Sequence, residues 1–248
     1  MTSDAKLTQP GRVGNPDDLC DTPTSTALMR LFSLCQAERE LGLVTGEPGV
    51  GKSSAARRYA AKTATAHLVT MSPASSALVP SLARIGSAVG AYASATGACA
   101  WSDAIRTVLT YDPDPHVLLI DEAHHLSDQS VEEVRAIFDA ARVGVVFIGS
   151  RELRERWSGK RWAQLTSRVF LRIDLEGPQA EDIDAICSAL QIEGKRSRTL
   201  LLRAASRPGS LRLVRKVADV AARLAGPGNI VTAEHVEKAL ASRGEMAA

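Results

Sequence analysis

Residues 41–54 read LGLVTGEPGVGKSS, and this stretch decides the fold. An apolar run ends in Gly46, a glycine-rich turn follows, and from Lys52 the sequence becomes rich in Ala and Arg, which favours helix. The turn fits G-x-x-x-x-G-K-[ST] at all four fixed positions: Gly46, Gly51, Lys52 and Ser53. Glycines let backbone N–H groups turn inward around phosphate oxygens, and a helix N-terminus adds partial positive charge. The turn as a whole, Gly46, Glu47, Pro48, Gly49, Val50, Gly51, Lys52, Ser53 and Ser54, is therefore the expected phosphate cradle. Lys52 is placed to neutralise the β- and γ-phosphates, and the Ser53 hydroxyl to ligate Mg²⁺.

A nucleotide site of this kind needs a second half, and HVLLIDE at residues 116–122 supplies it. An almost wholly apolar strand delivers two carboxylates at its C-terminal end, where open α/β sheets bind ligands. Asp121 is expected to hold Mg²⁺ with Ser53, and Glu122 to act as general base on the attacking water. ATP and Mg²⁺ are thus the expected substrate and cofactor. His124 and His125 follow at once, but adjacent side chains diverge and H-E-x-x-H spacing is absent, so they are expected to cap or pack the turn.

The rest of the chain agrees with a parallel sheet covered on both faces. Short apolar strands at 67–70, 117–120, 143–148 and 169–173 alternate with helical patterns at 52–64, 78–89, 103–109 and 131–141. Beyond Gly177-Pro178 only helical patterns remain, at 180–190, 198–205, 211–224 and 233–241. The expected organisation is a flexible lead-in over 1–23, an α/β nucleotide-binding domain over 24–175, and a helical lid over 176–248. The 248 residues, 45% hydrophobic but only 4% aromatic, argue against an all-β architecture. No run approaches membrane-spanning length, and the polar N-terminus lacks a signal-like apolar stretch, so a cytoplasmic protein without membrane contact is expected. Four scattered cysteines, Cys20, Cys35, Cys99 and Cys187, form no C-x-x-C pair and are expected to be reduced.

These residues resemble the AAA+ ATPases, and within them the transposition ATPases such as the Mu B, TniB and TnsC proteins. The resemblance rests on GEPGVGKSS (46–54), LLIDEAHHL (118–126), the end of VVFIGS (145–150), QLTSR before VFLRIDL (164–175), and RPGSLRLV (207–214). It implies a P-loop core followed by a helical lid. It also implies that Ser150 is sensor 1, orienting water and γ-phosphate, that Arg168 is an arginine finger offered to a neighbouring subunit, and that Arg212 is sensor 2, with Arg207 and Arg215 as competitors. The function implied is an oligomeric, DNA-bound ATPase that selects or delivers target DNA and activates a transposase. Self-association into a helical filament or a ring belongs to that picture. An ExeA-like or IstB-like loader or regulator of a protein client is the alternative. Mu B carries an additional N-terminal DNA-binding domain, whereas only about 23 residues precede the helical pattern here, so DNA contacts are expected mainly from the core and lid.

Charge patterning suggests where such contacts lie. The net charge is only +2, yet Lys195, Arg196, Arg198, Arg203, Arg207, Arg212, Arg215 and Lys216 occur with no acidic residue between them. A second cluster, Arg151, Arg154, Arg156, Lys160 and Arg161, flanks Trp157 and Trp162 and is expected at a subunit interface or on DNA phosphates. No base-reading module is recognisable, so binding of double-stranded DNA with little sequence preference is expected.

Overall fold

The computed structural model describes residues 21–207 and 210–242. Most of the expected lead-in, Cys20, and the Pro208-Gly209 pair of the last motif lie outside the described residues. The chain divides into two compact units, one spanning Thr24–Gly177 and one that takes in the helices from Pro178 onward.

The first unit is a five-stranded sheet of β1 (Leu41–Gly46), β2 (Ala66–Thr70), β3 (Val117–Asp121), β4 (Gly144–Gly149) and β5 (Val169–Leu175), all parallel, in the order β2-β3-β4-β1-β5. Seven helices surround it: α1 (Pro23–Glu38), α2 (Lys52–Lys62), α3 (Leu78–Val89), α4 (Ala98–Tyr111), α5 (Asp128–Ala141), α6 (Arg151–Trp157) and the single turn α7 (Ala163–Thr166). The inner strands are buried at every position, which is why they read as unbroken apolar runs rather than alternating ones. Successive side chains still face opposite ways. Leu41, Leu43, Leu118, Ile120, Val145 and Phe147 enter one core with α3, α4, α5 and α6, while Val44, Val117, Leu119, Val146 and Ile148 enter another with Leu28, Leu31 and Phe32 of α1 and Ala55 and Ala56 of α2. The edge strand β5 alternates between half-buried and exposed residues instead.

Close approach of α1 sets the register of that second face. A Cβ on Gly144 would lie 2.3 Å from the Cys35 carbonyl oxygen, so only glycine lets β4 begin there. Helix α4 starts at Ala98, five residues before the helix expected from position 103, because Trp101 packs against Gly86 of α3 and extends the apolar face backwards.

The second unit consists of α8 (Ala180–Ala189), α9 (Lys195–Ala205), α10 (Ser210–Ala225) and α11 (Ala233–Ala241). Ile183 and Ile186 of α8, Leu201 of α9, Val214, Val217, Ala218 and Ala221 of α10, and Val236 and Ala239 of α11 form its core. Small residues at the crossings let these helices pack closely. Among the described residues no helix is long and apolar enough to cross a membrane.

Candidate active site

The sheet order places three strand ends side by side. β4 lies between β1 and β3, so its C-terminal end at Gly149-Ser150 stands between the glycine-rich turn after β1 and the carboxylates after β3. Positive φ at Gly49 (88°) and Gly51 (103°) bends the turn before α2, conformations that a side chain would strain. A Cβ on Gly51 would meet nothing within 4 Å, so the concavity it faces is open. α2 opens at Lys52 with Gly51 as N-cap and no side-chain cap, and its first turn presents N–H groups and the positive end of the helix dipole to that concavity.

Lys52 Nζ donates to the carbonyls of Gly46 and Glu47, both at 2.8 Å, which holds the ammonium over the mouth of the turn. The Ser53 hydroxyl hydrogen-bonds to Asp121, joining the turn to β3. Asp121 is 3% exposed and also accepts from the Glu122 N–H at 3.0 Å. Burial pushes its pKa up, the Ser53 bond opposes this, and the neighbouring Glu122 charge adds to the rise. A buried carboxylate beside a hydroxyl is an all-oxygen donor set that suits Mg²⁺, and a cation there would relieve the cost of burying Asp121. The residues therefore fit the expected ion.

Glu122 adopts a left-handed backbone (φ 55°, ψ 37°), uncommon for a non-glycine residue. The twist separates its carboxylate from that of Asp121 and leaves it half-exposed, 3.4 Å from His124 Nδ1. His124 and His125 sit in the single 3-10 turn Ala123–His125, rings 4.2 Å apart. Ser150 occupies the N-cap position of α6 without a side-chain capping bond to the backbone, and its hydroxyl lies 3.5 Å from a Glu152 carboxylate oxygen.

Arg168 is elsewhere. The β1–β5 register pairs Leu41 with Val169 and Gly46 with Leu175, so Arg168 lies at the opposite end of the strands from the glycine-rich turn. At about 3.3 Å per residue the separation along the sheet is roughly 16 Å, beyond the reach of one side chain. Arg212 belongs to the other unit, exposed on α10, and Arg215 pairs there with Asp219 at 2.9 Å.

The two basic clusters look different in three dimensions. Arg151 pairs with Glu47 at 3.1 Å, Arg154 with Asp174 at 3.5 Å, and both Arg156 and Arg161 with Asp128. In the second unit Arg198 pairs with Asp184 at 2.5 Å and Arg196 with Glu237 at 2.6 Å. These carboxylates come from other elements, so a window along the chain overstates the local charge. Lys195, Arg203, Arg212 and Lys216 remain exposed.

Sequence reasoning missed Arg156 as a structural tie. It donates to the Leu126 carbonyl at 2.7 Å, pairs with Asp128, and lies 5.5 Å over the Trp162 ring, pinning the turn after Asp121-Glu122 to α6. The signal available was the Arg-rich, Trp-flanked segment 151–162, which sequence alone assigned to contacts outside the chain.

A parallel sheet in this order, a phosphate turn joined to a buried Asp, and a second carboxylate set apart by its backbone define a P-loop ATPase of the AAA+ class, to which the chain belongs. Residues 36–157 match the family model of the AAA domain. Residues 167–242 match that of the Mu B transposition protein C-terminal region, which makes this a Mu B-like member of the class. The chain is 29% identical over 240 residues to the ATP-dependent target DNA activator B of Escherichia phage Mu, covering 95% of this chain and 74% of that protein. It is 28% identical over 186 residues to the Mu-like prophage FluMu DNA transposition protein B of Haemophilus influenzae, covering 70% and 61%. Among solved structures it resembles the ORC1 protein of Aeropyrum pernix, determined in complex with DNA, with a TM-score of 0.64 at 17% identity over 94% of this chain and 68% of the other. That likeness is one of fold.

Proposed function

We propose that the chain is an ATP-switched, DNA-binding ATPase that assembles into an oligomer, selects or delivers target DNA and activates a transposase. The observation that carries the assembly-dependent part is the sheet register. The glycine-rich turn, Asp121, Glu122 and Ser150 gather at one end of the strands while Arg168 stands at the other. An arginine so placed cannot reach the nucleotide of its own chain, which supports a role on a neighbour's nucleotide and a catalysis that follows assembly. The name ATP-dependent target DNA activator, borne by the phage Mu relative, supports the DNA-directed part.

Each residue's part follows from its position. Lys52 exchanges its carbonyl partners for β- and γ-phosphate oxygens, while the N–H groups at the start of α2 hold the phosphates in place. Ser53 and Asp121 would hold Mg²⁺, which when bound supplies positive charge to the phosphates. Glu122 takes a proton from water as its oxygen bonds to the γ-phosphorus and the bond to the ADP oxygen breaks; Ser150 orients that water. Arg168 of an adjacent subunit stabilises the charge on the transferring phosphoryl group. Arg212 is proposed as sensor 2; DNA raises turnover by bringing subunits into register, and the exposed Lys195, Arg203 and Lys216 are the proposed backbone contacts in the second unit.

The test is retention of duplex DNA with ATP or ADP. Wild type retains DNA with ATP and releases it as ATP is consumed. Glu122→Gln retains it longer, because the base is lost while the phosphate and metal ligands stay. Lys52→Ala fails to retain it. DNA binding indifferent to nucleotide in all three would refute the switch and favour a protein client.

A further inference from the structure

Arg168 is exposed at the end of the turn that follows α7, yet its guanidinium is held. Nη1 donates to Oδ1 of Asp139 on α5. The other carboxylate oxygen of Asp139 accepts from Arg135 Nη1 at 2.9 Å, and Arg135 Nε donates to Glu132 at 2.8 Å. Residues 132, 135 and 139 fall at i, i+3 and i+7, along one face of α5, so the helix carries a stripe of alternating charge whose last member reaches across to Arg168. Asp139 also stands near the C-terminal end of α5, where the helix dipole disfavours a carboxylate. The two arginines offset that cost. In water such an exposed pair contributes little to stability.

We propose that Asp139 is a positioning residue for the arginine that Arg168 offers to a neighbouring subunit. The proposal rests on the reading of Arg168 given above. A free arginine side chain samples many rotamers, and catalysis by a group delivered across an interface is sensitive to its placement. Asp139 engages the guanidinium through Nη1 and leaves Nε and Nη2 as donors for phosphate oxygens. The planar fork is thereby fixed in direction before the subunits meet, and the strand edge at β5 carries it as a preset element of the assembly face. Arg135 keeps the Asp139 carboxylate from turning away, because it occupies the oxygen that Arg168 does not use.

The experiment compares wild type with Arg168→Ala, Asp139→Ala, Asp139→Asn and Asp139→Glu in DNA-stimulated ATP turnover at saturating protein, alongside ATP affinity of the unassembled chain and thermal unfolding. Asp139→Ala is expected to lose roughly tenfold to a hundredfold in kcat, the scale on which misplacement of a reacting group acts, with KM for ATP and nucleotide affinity nearly unchanged. Asp139→Asn, of equal size and with one carbonyl acceptor left, should lose less, and Asp139→Glu should recover part of the rate by restoring the carboxylate. A merely structural role would lower the unfolding temperature and ATP affinity together and would not be repaired by glutamate. Turnover of Asp139→Ala and Asp139→Asn equal to or above wild type, with Arg168→Ala inactive, overturns the positioning role while leaving the finger intact. Wild-type turnover by Arg168→Ala removes the finger itself and the proposal with it.

Discussion

Replacing Asp121 with Asn should make the protein more stable and catalytically dead at once. The side chain is 3% exposed, so its charge is buried, and burial is the largest influence on its raised pKa, reinforced by Glu122. The sign follows: a carboxylate whose folded pKa lies above its unfolded value is protonated more readily in the native state, so its ionisation costs stability as pH rises through that window and throughout neutral pH. Asn keeps the volume and an acceptor for the Glu122 N–H at 3.0 Å while removing the charge. Relief of this kind at functional sites is typically about 0.5–2 kcal/mol. For a unit of this size each kcal/mol moves the midpoint by roughly 2–4 °C, so an increase of about 1–8 °C is expected without nucleotide. Scanning calorimetry with and without Mg²⁺ and ATP is the assay. Wild type should gain stability from the ligands and Asp121→Asn should gain less, reversing or narrowing the difference. A variant that unfolds earlier than wild type without ligands would show instead that Asp121 stabilises the fold through its hydrogen bonds and that its buried charge carries no net cost.

Further outcomes follow from the same structure. If Lys195, Arg203 and Lys216 meet DNA phosphates, the slope of log affinity against log salt should flatten by about one for each residue changed to Ala, whereas Arg198→Ala, which removes a partner of Asp184, should flatten it less; equal slopes would exclude the segment. Half-buried His67 stacks on buried His116, Nε2 2.7 Å from His116 Nδ1 and Nδ1 3.1 Å from the Ala88 carbonyl, and partial burial lowers its pKa below 6.5. The native state therefore resists its protonation, so stability should fall as pH drops below 6.5, and His67→Gln should shallow that dependence in pH-resolved thermal melts. Burial pushes Cys35 up to about 12 while Cys99 is exposed, so a disulfide reagent at pH 8 should modify Cys99 quickly and Cys35 only on unfolding, as mass spectrometry of the labelled peptides would report.

The nucleotide end of the molecule was legible because its chemistry is local. Gly46 to Ser53 is one contiguous turn, and the strand that ends in Asp121 announces itself by an unbroken apolar run. The AAA+ fold and the Mu B-like resemblance were legible for the same reason. What sequence could not supply were pairings between distant segments. Arg198 meets Asp184 from α8, Arg196 meets Glu237 from α11, and Arg168 meets Asp139 from α5, each invisible in a window along the chain. The Arg151–Arg161 cluster was read as an outward surface for that reason, whereas Arg156 ties α6 to the turn after Glu122. Helix α4 was expected too short because Ala98 and Trp101 are ordered by packing on α3 rather than by strong local punctuation.

If a working site is built from two subunits, as proposed, two inactive variants should complement one another when mixed. Glu122→Gln lacks the base but keeps Arg168; Arg168→Ala keeps the base but offers no arginine. Mixed in equal amounts on DNA with ATP, about one interface in four should join an intact Glu122 to an intact Arg168, restoring about a quarter of wild-type turnover. Two variants that co-assemble on DNA and yet remain as inactive together as apart would contradict the shared site.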